Sequence, residues 1–303
     1  MIPVPCPLCG FSDAALRKQI ALVELFRAWE KKFHIDVSGD FQNVQRLDLF
    51  ACERCGLQFY MPLTLGGSSQ LYSQLQKFDW YYTPQKWEHD IALEDLTGCQ
   101  HILEIGSGSG DFIARAQAEK GLNIQGIETN AEAVNSARRL GLPVEPSELR
   151  ETALRRPGYY DAVCAFQVLE HVSKPKEFLE SCCNLLKRGG RLLVGLPNAE
   201  SFLRYQFNPL DMPPHHLTKW SGRCLSYLPN LFPLQLIHIK REPLAEYHIR
   251  EYVDTHYRSY RRKGLPKFLC PRWLRRASGG LLKLTGLRKM LIGQTLYASF
   301  QRI

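Results

Sequence analysis

Short apolar segments alternate with amphipathic segments between residues 100 and 197, and this alternation limits the fold more than any other feature. The apolar segments include "HILEI", "NIQGIE", "YDAVCAF" and "RLLVGL". The segments between them carry helix signals, such as a capping residue at the start or a glycine at the end. Apolar strands that alternate with helices are typical of a parallel sheet covered on both faces. The sequence therefore predicts an α/β, doubly wound, Rossmann-like fold with its ligand at the carboxyl ends of the strands.

A glycine-rich turn in "ILEIGSGSGDF" joins the first strand to the first helix. The spacing of Gly106, Gly108 and Gly110 is one residue shorter than the dinucleotide fingerprint, and the chain has no GxxxxGK[ST] motif for a nucleoside triphosphate. Asp111 at the helix start would repel a pyrophosphate, and Glu104 adds a second carboxylate. The turn therefore indicates a nucleoside ligand that carries positive charge. S-adenosyl-L-methionine, with its ammonium and sulfonium groups, fits best.

Five ordered pieces of the chain resemble the class I S-adenosylmethionine-dependent methyltransferases. They are "LEIGSGSGDF", "GIETN", "PVEPSEL", "YYDAVCAFQVLEHV" and "LLKRGGRLLVGLPN". Five pieces in order are more specific than any one motif. The "LEHV" and "LPN" pieces are similar to quinone-biosynthesis O-methyltransferases and sugar methyltransferases. The resemblance implies a seven-stranded sheet whose last strand, in "GQTLYASFQRI", runs antiparallel.

The resemblance also implies a role for each residue of the donor site. The three glycines of the turn would let the backbone approach the methionine part of the donor. Glu128 would hold the ribose, which its place at the end of the second strand also predicts. Glu148 would reach the adenine, and Gln167 would border the methyl group.

Two near-copies of a cysteine motif, "CPLCG" and "CERCG", lie within residues 1–65. Each Cys-x-x-Cys-Gly motif aims two thiolates at one point, so Cys6, Cys9, Cys52 and Cys55 predict a tetrahedral zinc site. Four protein ligands close the site, and we therefore expect a structural zinc ribbon. A four-cysteine ribbon ahead of this fold is similar to sugar C-methyltransferases. Between the motifs, "ALRKQIALVELFRAWEKKF" shows a helical pattern.

Two adjacent histidines follow the fifth strand, on a loop that also contains Asp211. A neutral imidazole is a suitable base near pH 7, so the sequence predicts His216, or else His215, as the base that accepts a proton from an acceptor hydroxyl. Alternatively, either histidine only anchors the loop by hydrogen bonds. Glu170 and His171 form a second candidate pair, which orients substrate, holds a divalent ion or packs against the neighbouring loop.

The net charge of +9 is unevenly distributed along the chain. No acidic residue follows Asp254, whereas twelve Lys and Arg do, most of them in an insertion at about residues 243–292 before the last strand. This cationic, aromatic segment favours an anionic small-molecule or sugar-linked acceptor. Peripheral contact with an anionic membrane and a helical lid whose charges face water are the alternatives. We expect a cytoplasmic protein, because the sequence shows neither a secretion signal nor a membrane span.

The sequence thus predicts a zinc ribbon at 1–65, a linker with an aromatic helix at 66–98 and a methyltransferase domain at 99–303. We expect an enzyme that methylates a hydroxyl of a sugar, a glycan intermediate or a small metabolite, with S-adenosyl-L-methionine and structural zinc as cofactors. One alternative is an RNA methyltransferase whose ribbon and basic tail bind RNA. It ranks second because "FQVLEH" is not the Asn-Pro-Pro-aromatic motif of enzymes that methylate exocyclic nitrogens. The other is a non-catalytic module that binds the donor.

Overall fold

A computed structural model describes residues 3–78, 81, 86–262, 264 and 272–303. The strands are β1 (Ala15–Ala21), β2 (Arg46–Ala51), β3 (Gln58–Met61), β4 (Ile102–Ile105), β5 (Ile124–Glu128), β6 (Val144–Pro146), β7 (Tyr160–Phe166), β8 (Leu186–Pro197), β9 (Thr218–Lys219), β10 (Leu234–Pro243) and β11 (Ile292–Arg302). The helices are α1 (Leu22–Phe33), α2 (Ser69–Leu75), α3 (Trp87–Asp95), α4 (Asp111–Lys120), α5 (Ala131–Arg139), α6 (Leu149–Arg155), α7 (Pro175–Leu185), α8 (Gly222–Tyr227), α9 (Ile249–Arg262) and α10 (Arg272–Leu284).

The larger sheet has seven strands in the order β10-β11-β8-β7-β4-β5-β6. The strands from β4 to β8 are parallel, and β11 is antiparallel to both of its neighbours, β8 and β10. Apolar side chains of α3, α4 and α5 pack on one face, and those of α6 and α7 pack on the other. The predicted doubly wound sheet with its antiparallel last strand is therefore confirmed.

The smaller sheet has four antiparallel strands in the order β1-β2-β3-β9. Three of them come from the N-terminal segment with the two cysteine motifs. The fourth, β9, comes from the loop after β8, and its Thr218 pairs with Phe59 of β3. The helix predicted between the motifs was wrong in its first part and correct in its second. Residues 15–21 form β1, and the helix begins only at Leu22.

The basic insertion lies between β10 and β11. Since both β8 and β10 are antiparallel to β11, β10 ends at the same edge of the sheet as β8. The insertion therefore leaves the sheet at the edge where the parallel strands end. Part of its basic stretch, residues 265–271, lies outside the described residues. None of the described helices combines the length and the apolar character that a membrane span requires.

Candidate active site and cysteine cluster

The glycine turn after β4 adopts backbone conformations that other residues rarely adopt. Gly106 has φ +68° and Gly110 has φ +85°. A Cβ atom on Gly106 would lie 2.6 Å from Cγ2 of Val168, and one on Gly110 would lie 2.6 Å from Cδ1 of Leu142. Glycine is therefore required at both positions by conformation and by space.

Glu128, at the end of β5, fixes the turn from the neighbouring strand. Its Oε2 accepts a hydrogen bond from the backbone N–H of Gly108 at 2.9 Å. Its Oε1 accepts from the backbone N–H groups of Thr129 at 2.8 Å and Asn130 at 2.9 Å. A carboxylate oxygen has two acceptor positions, so Oε2 keeps one for a ligand hydroxyl. The half-buried carboxylate thus stands beside the turn, where the ribose is expected.

Buried polar atoms without partners test whether the turn fits the predicted donor. Glu104 is 5% exposed, and neither its Oε2 nor the Ser107 hydroxyl has a hydrogen-bond partner in the described part of the chain. Burial raises the pKa of Glu104 well above its usual value, and the charges of Asp111 and Glu128 add to this effect. Buried polar groups of this kind need a partner. A cationic donor with an ammonium group would supply one, so these residues fit S-adenosyl-L-methionine.

The structure brings Gln167 close to the turn, whereas Glu148 lies on the protein surface. Gln167 follows β7 with φ +57°, and the next residue, Val168, lies against Gly106. The Gln167 amide donates a 2.8 Å hydrogen bond to Glu88, which the sequence analysis did not identify. Glu88 lies in α3 and is 2% exposed. The sequence offered one signal for this residue, namely a carboxylate on a helix that precedes the first strand of the large sheet. Glu148 precedes α6 and is exposed.

Three histidines form a compact cluster at the same edge of the sheet. Ring nitrogens of His171, His215 and His216 all lie within 4.8 Å of one another. Nδ1 of His215 lies 2.9 Å from the Leu210 carbonyl oxygen, and its Nε2 lies 3.1 Å from the Tyr81 hydroxyl. Both nitrogens of His215 are thus occupied by protein groups. Burial lowers the pKa of His215 well below its usual value, and its two neighbouring histidines lower it further.

His216 lies between two carboxylates. Its Nδ1 lies 3.5 Å from Oδ1 of Asp211, and its Nε2 lies 4.0 Å from Oε1 of Glu170. Asp211 also forms an ion pair with Lys219. Burial acts to raise the pKa of Asp211, but the positive charges of Lys219 and His216 outweigh it and hold that pKa below its ordinary value. Asp211 is therefore an anion 3.5 Å from Nδ1 of His216, a buried nitrogen that forms no hydrogen bond with the described residues.

Glu170 lies beneath the cluster and is 1% exposed. Neither of its carboxylate oxygens has a hydrogen-bond partner among the residues described, although Nε2 of His171 lies 3.8 Å away. Burial raises the pKa of Glu170 to about 7, and the charge of His216 opposes this rise. Burial also lowers the pKa of His171 to about 3. The cluster therefore holds the neutral imidazoles of His171 and His215 beside a carboxyl group whose pKa lies near neutrality.

The four cysteines of the two N-terminal motifs meet at one point. The Sγ atoms of Cys6 and Cys55 are 3.6 Å apart, and those of Cys9 and Cys52 are 3.5 Å apart. All four sulfurs lie within 4.8 Å of one another. Zn–S bonds of about 2.3 Å in a tetrahedron place sulfurs about 3.8 Å apart, so the arrangement fits such an ion. In the protein alone, burial raises the pKa of Cys9 to about 11, and a bound cation would favour its thiolate.

The fold and the donor site define a class of protein. A seven-stranded sheet with its last strand antiparallel, a glycine turn after β4 and a carboxylate at the end of β5 are the features of an S-adenosylmethionine-dependent methyltransferase. A family model described as a methyltransferase domain matches residues 81–265, more than half of the chain. The chain belongs to this methyltransferase family.

Similar proteins carry related names. The chain is 28% identical over 179 residues to a ubiquinone biosynthesis O-methyltransferase of Pectobacterium carotovorum, which covers 54% of this chain and 69% of that protein. It is 36% identical over 101 residues to the protein of the same name from Paraburkholderia xenovorans, covering 31% of this chain and 43% of the relative. A SAM-dependent methyltransferase structure from Archaeoglobus fulgidus covers 70% of this chain and 94% of its own, with 19% identity and a TM-score of 0.46.

Proposed function

We propose that the protein transfers a methyl group from S-adenosyl-L-methionine to a hydroxyl oxygen of a small molecule, with His216 as the base. The observation that carries this proposal is the position of His216 between Asp211 and the buried Glu170, at the strand edge that holds the glycine turn. Two relatives named as O-methyltransferases support oxygen as the methylated atom. His215, with both ring nitrogens occupied, is assigned to loop anchoring.

The bound donor supplies a methyl group that its sulfonium activates for in-line displacement. The protein positions the acceptor hydroxyl and removes its proton as the new carbon–oxygen bond forms. His216 accepts that proton at Nε2, and the anionic Asp211, 3.5 Å from Nδ1, stabilises the resulting imidazolium by its charge. General-base catalysis of this kind contributes about 10² to 10⁴ in rate.

For the acceptor we propose an anionic or sugar-linked molecule. A cleft of about 1000 Å³ lies between α9 and α10 and is lined by Arg250, Arg275, Arg276 and Lys283, with Tyr247 and Val253 among its other side chains. Two carboxylates also line it: Asp254 pairs with Arg275 and Glu246 pairs with Lys283, while Arg250 and Arg276 give the lining its excess of positive charge. Arginine side chains recognise phosphate and carboxylate groups through paired hydrogen bonds. An apolar wall with several cations suits an acceptor that combines a charged group with a ring or chain.

The base is tested by comparing His216→Gln with His215→Gln. Incubation with isotope-labelled donor and a panel of prenylated phenols, nucleotide sugars and polyprenyl-linked sugars should identify an acceptor by its mass shift. With that acceptor, His216→Gln should lower kcat by about 10² or more, whereas His215→Gln should retain much more activity. His101→Gln, at the far end of β4, is the matched control. Full turnover by His216→Gln would remove the assigned base.

Donor binding separates the enzyme from its alternatives. Isothermal calorimetry should show that the wild-type protein binds the donor and that Glu128→Ala and Gly106→Ala each weaken this binding by at least about tenfold. Glu128→Ala removes the carboxylate proposed to hold the ribose, and Gly106→Ala introduces a clash with Val168. A donor that binds without methylating any acceptor would favour a non-catalytic module. An affinity for RNA that falls steeply with salt would favour an RNA methyltransferase.

We also propose that the cysteine cluster of residues 3–65 binds one structural zinc ion. The short sulfur–sulfur separations and the burial of three of the four thiols support it. Elemental analysis should find one zinc per chain.

A further inference from the structure

The insertion carries the whole net charge of the protein. Residues 243–292 contain twelve Lys and Arg and three Asp and Glu, which amounts to +9, the same as the net charge of the full chain. The rest of the chain is therefore neutral overall. A neutral enzyme core with a concentrated cationic insertion is suited to contact one strongly anionic partner.

Helix α10 exposes an apolar face to solvent. Trp273, Ala277, Leu281 and Leu284 recur at the spacing that places side chains on one side of a helix. They are exposed, with 69% of Trp273, 56% of Leu281 and 88% of Leu284 accessible. The opposite side of the helix packs against the protein through Leu282. An amphipathic surface helix normally buries its apolar side, so this exposure needs a reason.

The apolar face continues beyond the helix end. Leu287 is 44% exposed, Met290 is 82% exposed and Ile292 is 43% exposed. We call the whole set the α10 apolar surface; its members are Trp273, Ala277, Leu281, Leu284, Leu287, Met290 and Ile292. Exposed lysine and arginine side chains border it, including Arg276 along the helix and Lys289 after it.

We propose that the α10 apolar surface docks on an anionic lipid bilayer, with its helix lying in the plane of the headgroups. Apolar side chains would enter the boundary between headgroups and acyl chains, and the surrounding cations would contact lipid phosphates. Each such cation adds to the affinity for an anionic surface. If two copies of this chain met through this face, the net charge of +9 on each insertion would repel that of the other. This repulsion favours a bilayer over self-association.

The position of the insertion gives this docking a functional consequence that goes beyond the proposed methyl transfer. The insertion leaves the sheet at the edge where β4, β5 and β7 end, the edge that holds the glycine turn and the histidine cluster. A bilayer against α10 would therefore lie on the same side of the sheet as the donor site. An acceptor with a lipid tail could then present its headgroup without leaving the membrane.

The proposal is tested by co-sedimentation of the full chain with lipid vesicles. Vesicles of phosphatidylcholine with phosphatidylglycerol should bind the protein at low salt, whereas pure phosphatidylcholine vesicles should bind it at least about tenfold more weakly. The variant Leu284→Ser with Met290→Ser should reduce the affinity for the anionic vesicles by at least about tenfold, because two apolar side chains no longer enter the bilayer. Leu140→Ser with Leu154→Ser is the matched control, since these leucines are 71% and 77% exposed outside the insertion.

Three results would overturn the proposal. The first is equal sedimentation with neutral and anionic vesicles, and the second is equal affinity of the Leu284/Met290 variant and its control for the anionic vesicles. The third is a dimer by analytical ultracentrifugation that the Leu284/Met290 variant dissociates, together with no binding to any vesicle. Calorimetry with S-adenosyl-L-methionine keeps this test separate from the proposed activity, because both double variants should bind the donor as the wild type does.

Discussion

Two additions flank the methyltransferase sheet, and they are attached to it in opposite ways. The N-terminal cysteine unit shares a sheet with the loop after β8, and its core includes fully buried side chains such as Trp29 and Leu25. The insertion between β10 and β11 rests on a small cluster built on Phe202 and Leu244 and exposes its apolar side. The difference indicates that the first addition supports the loop that carries the candidate base, whereas the second is available for contact with other molecules.

The contacts of the cysteine unit lead directly to the histidine loop. Tyr60 of β3 donates its backbone N–H to the carbonyl of Leu217 at 2.9 Å, and its hydroxyl lies 3.1 Å from the carbonyl oxygen of Asp211. The loop held in this way carries both His215 and His216. A change in the cysteine unit should therefore reach the proposed base, whereas a change on the exposed face of α10 should not.

The largest expected effect is that of Cys52→Ser. Losing one of four ligands should release the zinc ion and cost more than about 4 kcal/mol of unfolding free energy, as loss of a structural metal does. Methyl transfer should fall further than donor binding, because the histidine loop loses its support. Elemental analysis, thermal unfolding and calorimetry measure these three changes. Cys99→Ser, outside the cluster, should keep the metal; equal loss in both variants would contradict the comparison.

The next effect is a pH-dependent gain in stability in Glu170→Gln. The pKa of Glu170 is about 7 in the native protein and about 4.5 in the unfolded chain, so the native state holds an extra proton between these pH values. Its contribution to the free energy of unfolding is therefore full below pH 4.5 and falls as pH rises towards 7. Glutamine does not titrate, so the variant should gain about 1.4 kcal/mol per pH unit over the wild type in this interval.

Denaturant unfolding at several pH values measures this gain, and a carboxyl of the insertion provides the contrast. Lys283 lowers the pKa of the exposed Glu246 through a hydrogen bond and its charge. Glu246→Gln should therefore lose stability relative to the wild type as pH rises, which is the opposite sign to Glu170→Gln. The same sign in both variants would mean that the buried and exposed carboxyl groups do not differ as described.

A smaller loss is expected from Thr218→Val in β9. The Thr218 hydroxyl accepts a 2.9 Å hydrogen bond from the indole N–H of Trp220, and both side chains are buried. Valine leaves that N–H without a partner, which should cost about 1–3 kcal/mol. Thermal or denaturant unfolding measures the loss, and Thr285→Val on the exposed end of α10 is its control. Equal values would show that the hydrogen bond between Thr218 and Trp220 does not stabilise the fold.

The smallest effect belongs to Leu284→Ser on α10. Because this side chain is 88% exposed, its replacement should change the free energy of unfolding by no more than about 0.5 kcal/mol. Denaturant unfolding without lipid measures the change. A loss as large as that of Thr218→Val would mean that the apolar surface is covered within the protein.

Local patterns predicted much of the core. The apolar segments from "HILEI" to "RLLVGL" became parallel strands, and Asn130 caps α5 by accepting hydrogen bonds from the backbone of Glu132 and Ala133. The segment at 15–21 was misread because only Ile20 of β1 is buried, so the strand has no alternation of buried and exposed residues. The strand's pairing with β2, rather than its composition, determines its conformation.

Tertiary contacts decided the parts of the site that the sequence left open. The sequence names His216 first and His215 as the alternative base, without a reason that separates them. The fold gives His215 two close partners and leaves Nε2 of His216 facing Glu170. Glu88 reaches Gln167 across 79 positions of the chain, a distance that no local pattern reveals.

The two-residue strand β9 also determines how the protein can be divided for laboratory use. A shortened chain that begins after residue 65 would leave Thr218 and Lys219 without the edge on which they lie. It would also uncover apolar side chains such as Trp220, which shares a core cluster with Phe59. Such a fragment would not be an isolated catalytic domain. The natural unit for expression is the chain with its cysteine segment attached.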